Sequence, residues 1–183
     1  QYLGDPALDS LMAYLNTRKA VIILHPHKPS AVNNQLIADV PLASYEYLAE
    51  TTRAVLNVLA HNVLARYHDI KVVVPHCGSF LPNALPRFRS LLPVMVKQGY
   101  MQTVDIDANL SQLYYDLAGA PTDEALKSLL TITTADHILY GRLTDKEVIV
   151  IQKNDHVIRL RIQNLQLLSQ IIQRKGGTVA VRL

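Results

Sequence analysis

Short apolar runs alternate with stretches of helical periodicity along most of this chain. Ala20-Val21-Ile22-Ile23-Leu24, Ile70-Lys71-Val72-Val73-Val74, Leu113-Tyr114-Tyr115-Asp116-Leu117 and His137-Ile138-Leu139-Tyr140-Gly141 have strand length and composition. Between them, Leu8, Leu11, Met12 and Leu15 recur at helical spacing behind Asp5-Pro6, whose proline suits a first helical turn. Leu48, Thr52, Val55, Leu59, Val63 and Leu64 predict a helix from Tyr45 to Tyr67. Residues 80–98 are helical in pattern but carry Pro82, Pro86 and Pro93, which predict turns and a kink. Thr122-Asp123-Glu124 caps a further helix ending near Ile132. Strands that are apolar on both faces and separated by helices imply a parallel sheet of the α/β class.

The tail departs from this rhythm. Glu147 to Ile151 and Val157 to Ile162 pattern as a hairpin around Lys153-Asn154-Asp155, followed by a Gln-rich helix from Asn164 to Arg174 and a strand from Thr178 to Arg182. Residues 26–44 form a Pro- and Asn-rich connection, long enough to expect a functional role. The opening Leu3-Gly4-Asp5-Pro6 reads as a start within a fold.

Composition narrows the classes. Of 183 residues, 49% are apolar and 18% charged, which excludes a disordered chain and a coiled coil. No run reaches the roughly 18 apolar residues of a membrane span. One cysteine, Cys77, excludes an internal disulfide and fits a reducing, cytoplasmic setting. The net charge of +3 reads as a solvated surface. The basic groups of the tail, Arg159, Arg161, Arg174 and Lys175, are sparse and lack aromatic interleaving, so no nucleic-acid partner is expected.

In a parallel α/β fold the chemistry gathers where strands end. His25 closes the first strand and reads either as a metal ligand or as a cap bonded to a loop carbonyl. His27 lies two positions on, so His25-Pro26-His27 forms a bidentate pair only if the strand continues past Pro26. His76 closes the second strand in Val-Pro-His-Cys-Gly, where Gly78 permits a sharp turn; its imidazole suits metal binding or proton transfer. Arg87 follows 11 residues later, either a carboxylate ligand or a surface arginine. Asp116 suits a metal, a histidine or a capping role. Cys77, beside His76, is a weak nucleophile candidate because adjacent strand residues point apart. His61, His68, His137 and His156 read as surface or capping groups. A Gly-rich phosphate loop, a Cys-x-x-Cys pair and a nucleophile elbow are all missing from the sequence.

Several segments, in order, resemble one family. Tyr2 to Asp9, Val21 to Pro26, Glu50-Thr51-Thr52-Arg53, Arg66-Tyr67, His76 to Pro82 with Arg87, Leu113 to Asp116 and Ile138 to Gly141 are similar to the amidohydrolase-related metal-dependent decarboxylases and hydrolases. Aminocarboxymuconate-semialdehyde decarboxylase and γ-resorcylate decarboxylase belong to that group. The resemblance implies an amidohydrolase-like (β/α)8 TIM barrel, here about strands 5 to 8, over residues 1–141, with a divergent C-terminal segment, 142–183, packed on the same domain. It implies His25 and His76 as metal ligands, His76 also as the catalytic histidine, and Arg87 as the ligand of the substrate carboxylate. It further implies zinc, with manganese the alternative, a small carboxylated substrate, aromatic or not, and a homodimer.

Two departures bear on this expectation. The family's His-x-His pair lies on the first strand, upstream of the segments matched here. Its eighth strand ends Tyr-Gly-Ser-Asp, whereas this chain reads Tyr140-Gly141-Arg142-Leu143, with Asp145 two positions late. The ligand set is therefore incomplete, since a catalytic zinc normally takes three protein ligands. The alternative expectation is a truncated or degenerate, non-catalytic barrel fragment that self-associates.

Overall fold

The computed structural model describes residues 2–27, 40–119, 122–139, 149–153 and 156–160, the last two segments through their backbone only. Four parallel strands, β1 (Val21–Ile23), β2 (Lys71–Val74), β3 (Leu113–Asp116) and β4 (Ile138–Leu139), pair in chain order. All four expected strands are present. They are shorter than their apolar runs; β2, for one, gives way at Pro75 to the turn that carries His76.

The helices follow the sequence with two revisions. A 3-10 turn at Pro6–Leu8, capped by Asp5 Oδ1 accepting from Ala7 N at 2.9 Å, leads into α1 (Asp9–Thr17). The helix expected from Tyr45 to Tyr67 is two: α2 (Glu46–Ala60) and α3 (Val63–Arg66). Asn62 separates them in the left-handed region (φ 53°), which asparagine tolerates better than most residues. The expected break at the prolines does not occur: α4 (Leu81–Lys97) runs through Pro86 and Pro93. Both lie at exposed positions seven apart, hence on one face, where water can satisfy the carbonyls that lose a donor. The five-residue α5 (Ile106–Leu110) was not expected, and α6 (Asp123–Leu129) begins at the expected cap, Thr122 Oγ1 accepting from Ala125 N at 3.2 Å.

A strand order without reversal, joined by the right-handed crossovers usual for such units, stacks the helices on one face of the sheet. The core lies there: Ile22, Val72, Val74, Leu113, Tyr115 and Ile138 of the sheet pack with Met12, Val55, Leu59 and Leu81 of the helices. Alternate residues face the other side, where Ile23, Val73 and Tyr114 stand in one row across three strands. On that side Val21 is 46% and Ile23 69% exposed.

Asn109 knits the helical layer together. It is fully buried, and its Oδ1 accepts from Leu64 N (2.8 Å) and Ala65 N (3.3 Å) at the start of α3. Its Nδ2 donates to Asn62 Oδ1 (2.8 Å) and Asp105 O (2.6 Å).

The expected hairpin is present as antiparallel β5 (Ile149–Lys153) and β6 (His156–Leu160). Leu143, Asp145, the Gln-rich helix and the last strand lie outside the described residues, as does most of the 26–44 connection. Among the described residues, no helix is long and apolar enough to cross a membrane.

Candidate functional site

β1 and β2 end side by side. Leu24 N still donates to Val73 O (3.0 Å), but Pro26 ends the ladder, so His25 and His27 do not continue as a strand. His25 is exposed and its Nδ1 lies 3.0 Å from Pro26 O. A carbonyl only accepts, so Nδ1 carries a proton and Nε2 is the ring nitrogen left for another partner. This is the arrangement that commonly orients a metal-binding imidazole.

Beyond β2 the chain enters an unusual turn. His76, Cys77, Gly78 and Ser79 have φ of 59°, 56°, 76° and 55°, four left-handed residues in succession. Such a conformation costs about 1–2 kcal/mol for each non-glycine residue and normally appears singly. Local and distant bonds hold it. Ser79 N donates to His76 O (2.8 Å), Ser79 Oγ to Pro75 O (3.2 Å), and Phe80 N to Thr52 Oγ1 on α2 (3.0 Å). From β3, Asp116 O accepts from Cys77 N (2.8 Å), and Asp116 Oδ1 accepts from both His76 N and Ala118 N (3.0 Å each).

The His76 ring is half-buried. Its Nδ1 is enclosed yet has no hydrogen-bond partner among the described residues. Burial lowers its pKa; the Asp116 carboxylate opposes that shift and His25 adds to it. The neutral form of the ring is thereby favoured, with Nδ1 left unpartnered. Asp116 is shifted upward, chiefly by burial, against the lowering effect of the Ala118 and His76 amides and of the two imidazoles. Cys77 is buried, its thiol pushed up to about 11, which excludes an activated nucleophile.

A cavity of about 700 Å³ opens at these strand ends. His25 and His76 line it together with Tyr47, Phe80, Asn83 and Glu124. The apolar wall of Phe80 and Pro82 opposite a few polar groups suits a small, flat ligand. Arg87 and His27 are not among its lining residues; Arg87 lies exposed on α4. Asp116 acts from behind the wall, through the backbone. His137 caps Leu113 O at 2.7 Å and stacks on Tyr114, at the opposite end of the sheet, as a structural group. Tyr47, Asn83, Glu124 and Gly119 escaped the sequence reading because none belongs to a recognisable motif.

The unpartnered Nδ1 of His76 and the available Nε2 of His25 fit two positions of a divalent-metal shell. Among the described residues, no group of three His, Cys, Asp or Glu side chains gathers for a metal.

Comparison with known proteins places this geometry. The amidohydrolase family model matches residues 1–142. A 6-methylsalicylic acid decarboxylase from Penicillium expansum is 31% identical over 141 residues, which are 76% of this chain and 43% of that protein. A solved amidohydrolase II structure matches with TM-score 0.67 at 29% identity, over 76% of this chain and 44% of that one. A manganese complex of 5-carboxyvanillate decarboxylase from Novosphingobium aromaticivorans has the same fold, with TM-score 0.70 at 20% identity over 78% of this chain and 43% of that one. The chain therefore spans less than half the length of these relatives. With the family match, the consecutive parallel strands and the histidines at their ends, the chain belongs to the amidohydrolase family and forms part of its (β/α)8 barrel.

Proposed function

We propose that this chain contributes half of the catalytic face of a metal-dependent decarboxylase acting on a small aromatic carboxylic acid. One observation carries the reading: a neutral His76, its enclosed Nδ1 unpartnered, shares a cavity with His25 at adjoining strand ends. The decarboxylases among the relatives support the substrate class.

His25 and His76 would hold the metal, zinc or manganese, which when bound stabilises the negative charge that develops on the substrate. The residues of this chain do the rest. Phe80 and Pro82 offer an apolar wall for an aromatic ring, and Asn83 and Tyr47 offer polar contacts at its rim. Loss of CO2 leaves an electron pair on carbon that must take up a proton; the neutral His76 is suited to take that proton first from water or a substrate hydroxyl and then pass it to the carbon. Arg87 is assigned to the substrate carboxylate, a role that its exposed position on α4 leaves to a geometry other than this cavity wall. Residues 1–141 form the catalytic part, 142–183 are a divergent segment packed on the same domain, and the protein works as a cytoplasmic homodimer.

The test is metal content and turnover of the full chain. With zinc or manganese supplied, we expect stoichiometric metal, lost in His25→Ala and in His76→Ala, and release of CO2 from hydroxybenzoic acids. A folded wild-type chain that binds neither metal and releases no CO2 refutes the proposal. The second reading, a non-catalytic barrel segment that self-associates, is favoured by the exposure of Val21 and Ile23 on the sheet. A strictly monomeric chain in sedimentation would eliminate it.

A further inference from the structure

The geometry points to Asp116 as the positioning residue of the site: one carboxylate oxygen fixes the two backbone walls between which the His76 ring sits. Oδ1 accepts from His76 N and from Ala118 N, 3.0 Å each. The first bond sets the stem of the ring. The second sets the turn that presents Gly119 to it. A Cβ on Gly119 would lie 3.3 Å from His76 Cδ2, so the ring rests against a backbone kept bare. The backbone of Asp116 adds a third tie, its carbonyl accepting from Cys77 N.

Within the turn, Ser79 bonds back to His76 O and Pro75 O while three non-glycine residues stay left-handed. The ties from β3, with that from Thr52, supply the constraint from outside. The Asp116 side chain touches both walls. A carboxylate so placed spends its hydrogen bonds on backbone amides and leaves the imidazole Nδ1 open, which suits a group that orients the ring rather than reacts. The assignment takes His76 as the working imidazole of the proposed function. Its test reads ring order and not turnover, so each can fail separately.

The experiment uses the full chain with 13C-labelled histidine, the His76 ring Cε1–Hε1 peak being assigned by its loss in His76→Gln. Wild type is expected to give one sharp His76 peak. Asp116→Ala should broaden or split it while the peaks of His61 and His68 stay in place and cooperative melting persists. Asp116→Asn should restore the single sharp peak, because an amide oxygen accepts the same two N–H bonds. Amide exchange at His76 and Ala118 should accelerate about tenfold or more in the alanine variant and stay near wild type in the asparagine variant. Gly119→Ala should displace the peak with Asp116 intact.

A folded Asp116→Ala with a sharp, unmoved His76 peak overturns the inference. So does an asparagine variant as disordered at His76 as the alanine one. If Asp116→Ala fails to fold, Asp116→Asn and Gly119→Ala decide: a broadened peak in the first or an unmoved peak in the second overturns it.

Discussion

Gly78 and Gly99 offer a controlled comparison, because both have φ of 76° and only one is crowded. A Cβ built on Gly99 meets nothing within 4 Å. One built on Gly78 lies 3.1 Å from Leu129 Cδ1 and 3.3 Å from Tyr115 Cδ1. Both neighbours are fully buried and have nowhere to move. Alanine at either site incurs about 1–2 kcal/mol for the left-handed backbone, offset by about 0.4–1 kcal/mol from a stiffer unfolded chain. Gly99→Ala should thus cost about 0–1.6 kcal/mol. Gly78→Ala adds about 1–3 kcal/mol of overpacking, so a total of about 1–4.6 kcal/mol is expected. Equilibrium urea unfolding of the three proteins measures the difference, read as a lower midpoint at unchanged slope. If Gly78→Ala falls within about 0.5 kcal/mol of Gly99→Ala, the packing argument is refuted, since the backbone contribution cancels between them.

Three other outcomes are expected. Asn109→Ala orphans the buried Leu64 N–H and removes four hydrogen bonds; about 2–4 kcal/mol of stability should be lost in the same urea assay. Cys77, 6% exposed and with its thiol near 11, should resist iodoacetamide at neutral pH until urea unfolds the chain; rapid native labelling would contradict its burial. Asp9 titrates below its ordinary 3.8 because Arg66 pairs with it. A depressed folded pKa gives stability present above the unfolded value and lost as pH falls through the folded one. The melting difference between wild type and Asp9→Asn should therefore shrink on acidification below about pH 4, and shrink also with salt.

The parallel sheet was legible because its strands are buried: Val72, Val74 and Leu113 leave an apolar run that periodicity detects. The hairpin at 149–160 was legible from its turn residues for the same kind of reason. What escaped is tertiary in origin. α2 ends at Ala60, and Asn62 just beyond it turns left-handed and accepts from the Asn109 amide 47 positions away, which no local pattern records. α4 outlasts its prolines because they fall on its wet face. At the site, His25 and His76 could be named from strand ends, and both reach the same cavity. The left-handed run from His76 to Ser79 could not, since only Gly78 announces a positive φ. Asp116 was identified as a polar strand end with several roles open, and only the bonds to His76 and Ala118 resolve which. Arg87, whose assignment came from the family resemblance, lies exposed on α4 and is not among the residues lining this cavity.

The uninterrupted strand order carries a consequence for how the chain is made. Each strand's partner is the one synthesised just before it, so β2 can dock on β1, β3 on β2 and β4 on β3 as each leaves the ribosome. No strand of this sheet waits for a later segment to be inserted between it and its neighbour. Assembly can proceed by accretion at one growing edge, and the His25–His76 cavity takes shape once β2 and its turn have emerged, with Asp116 arriving on β3 to lock it.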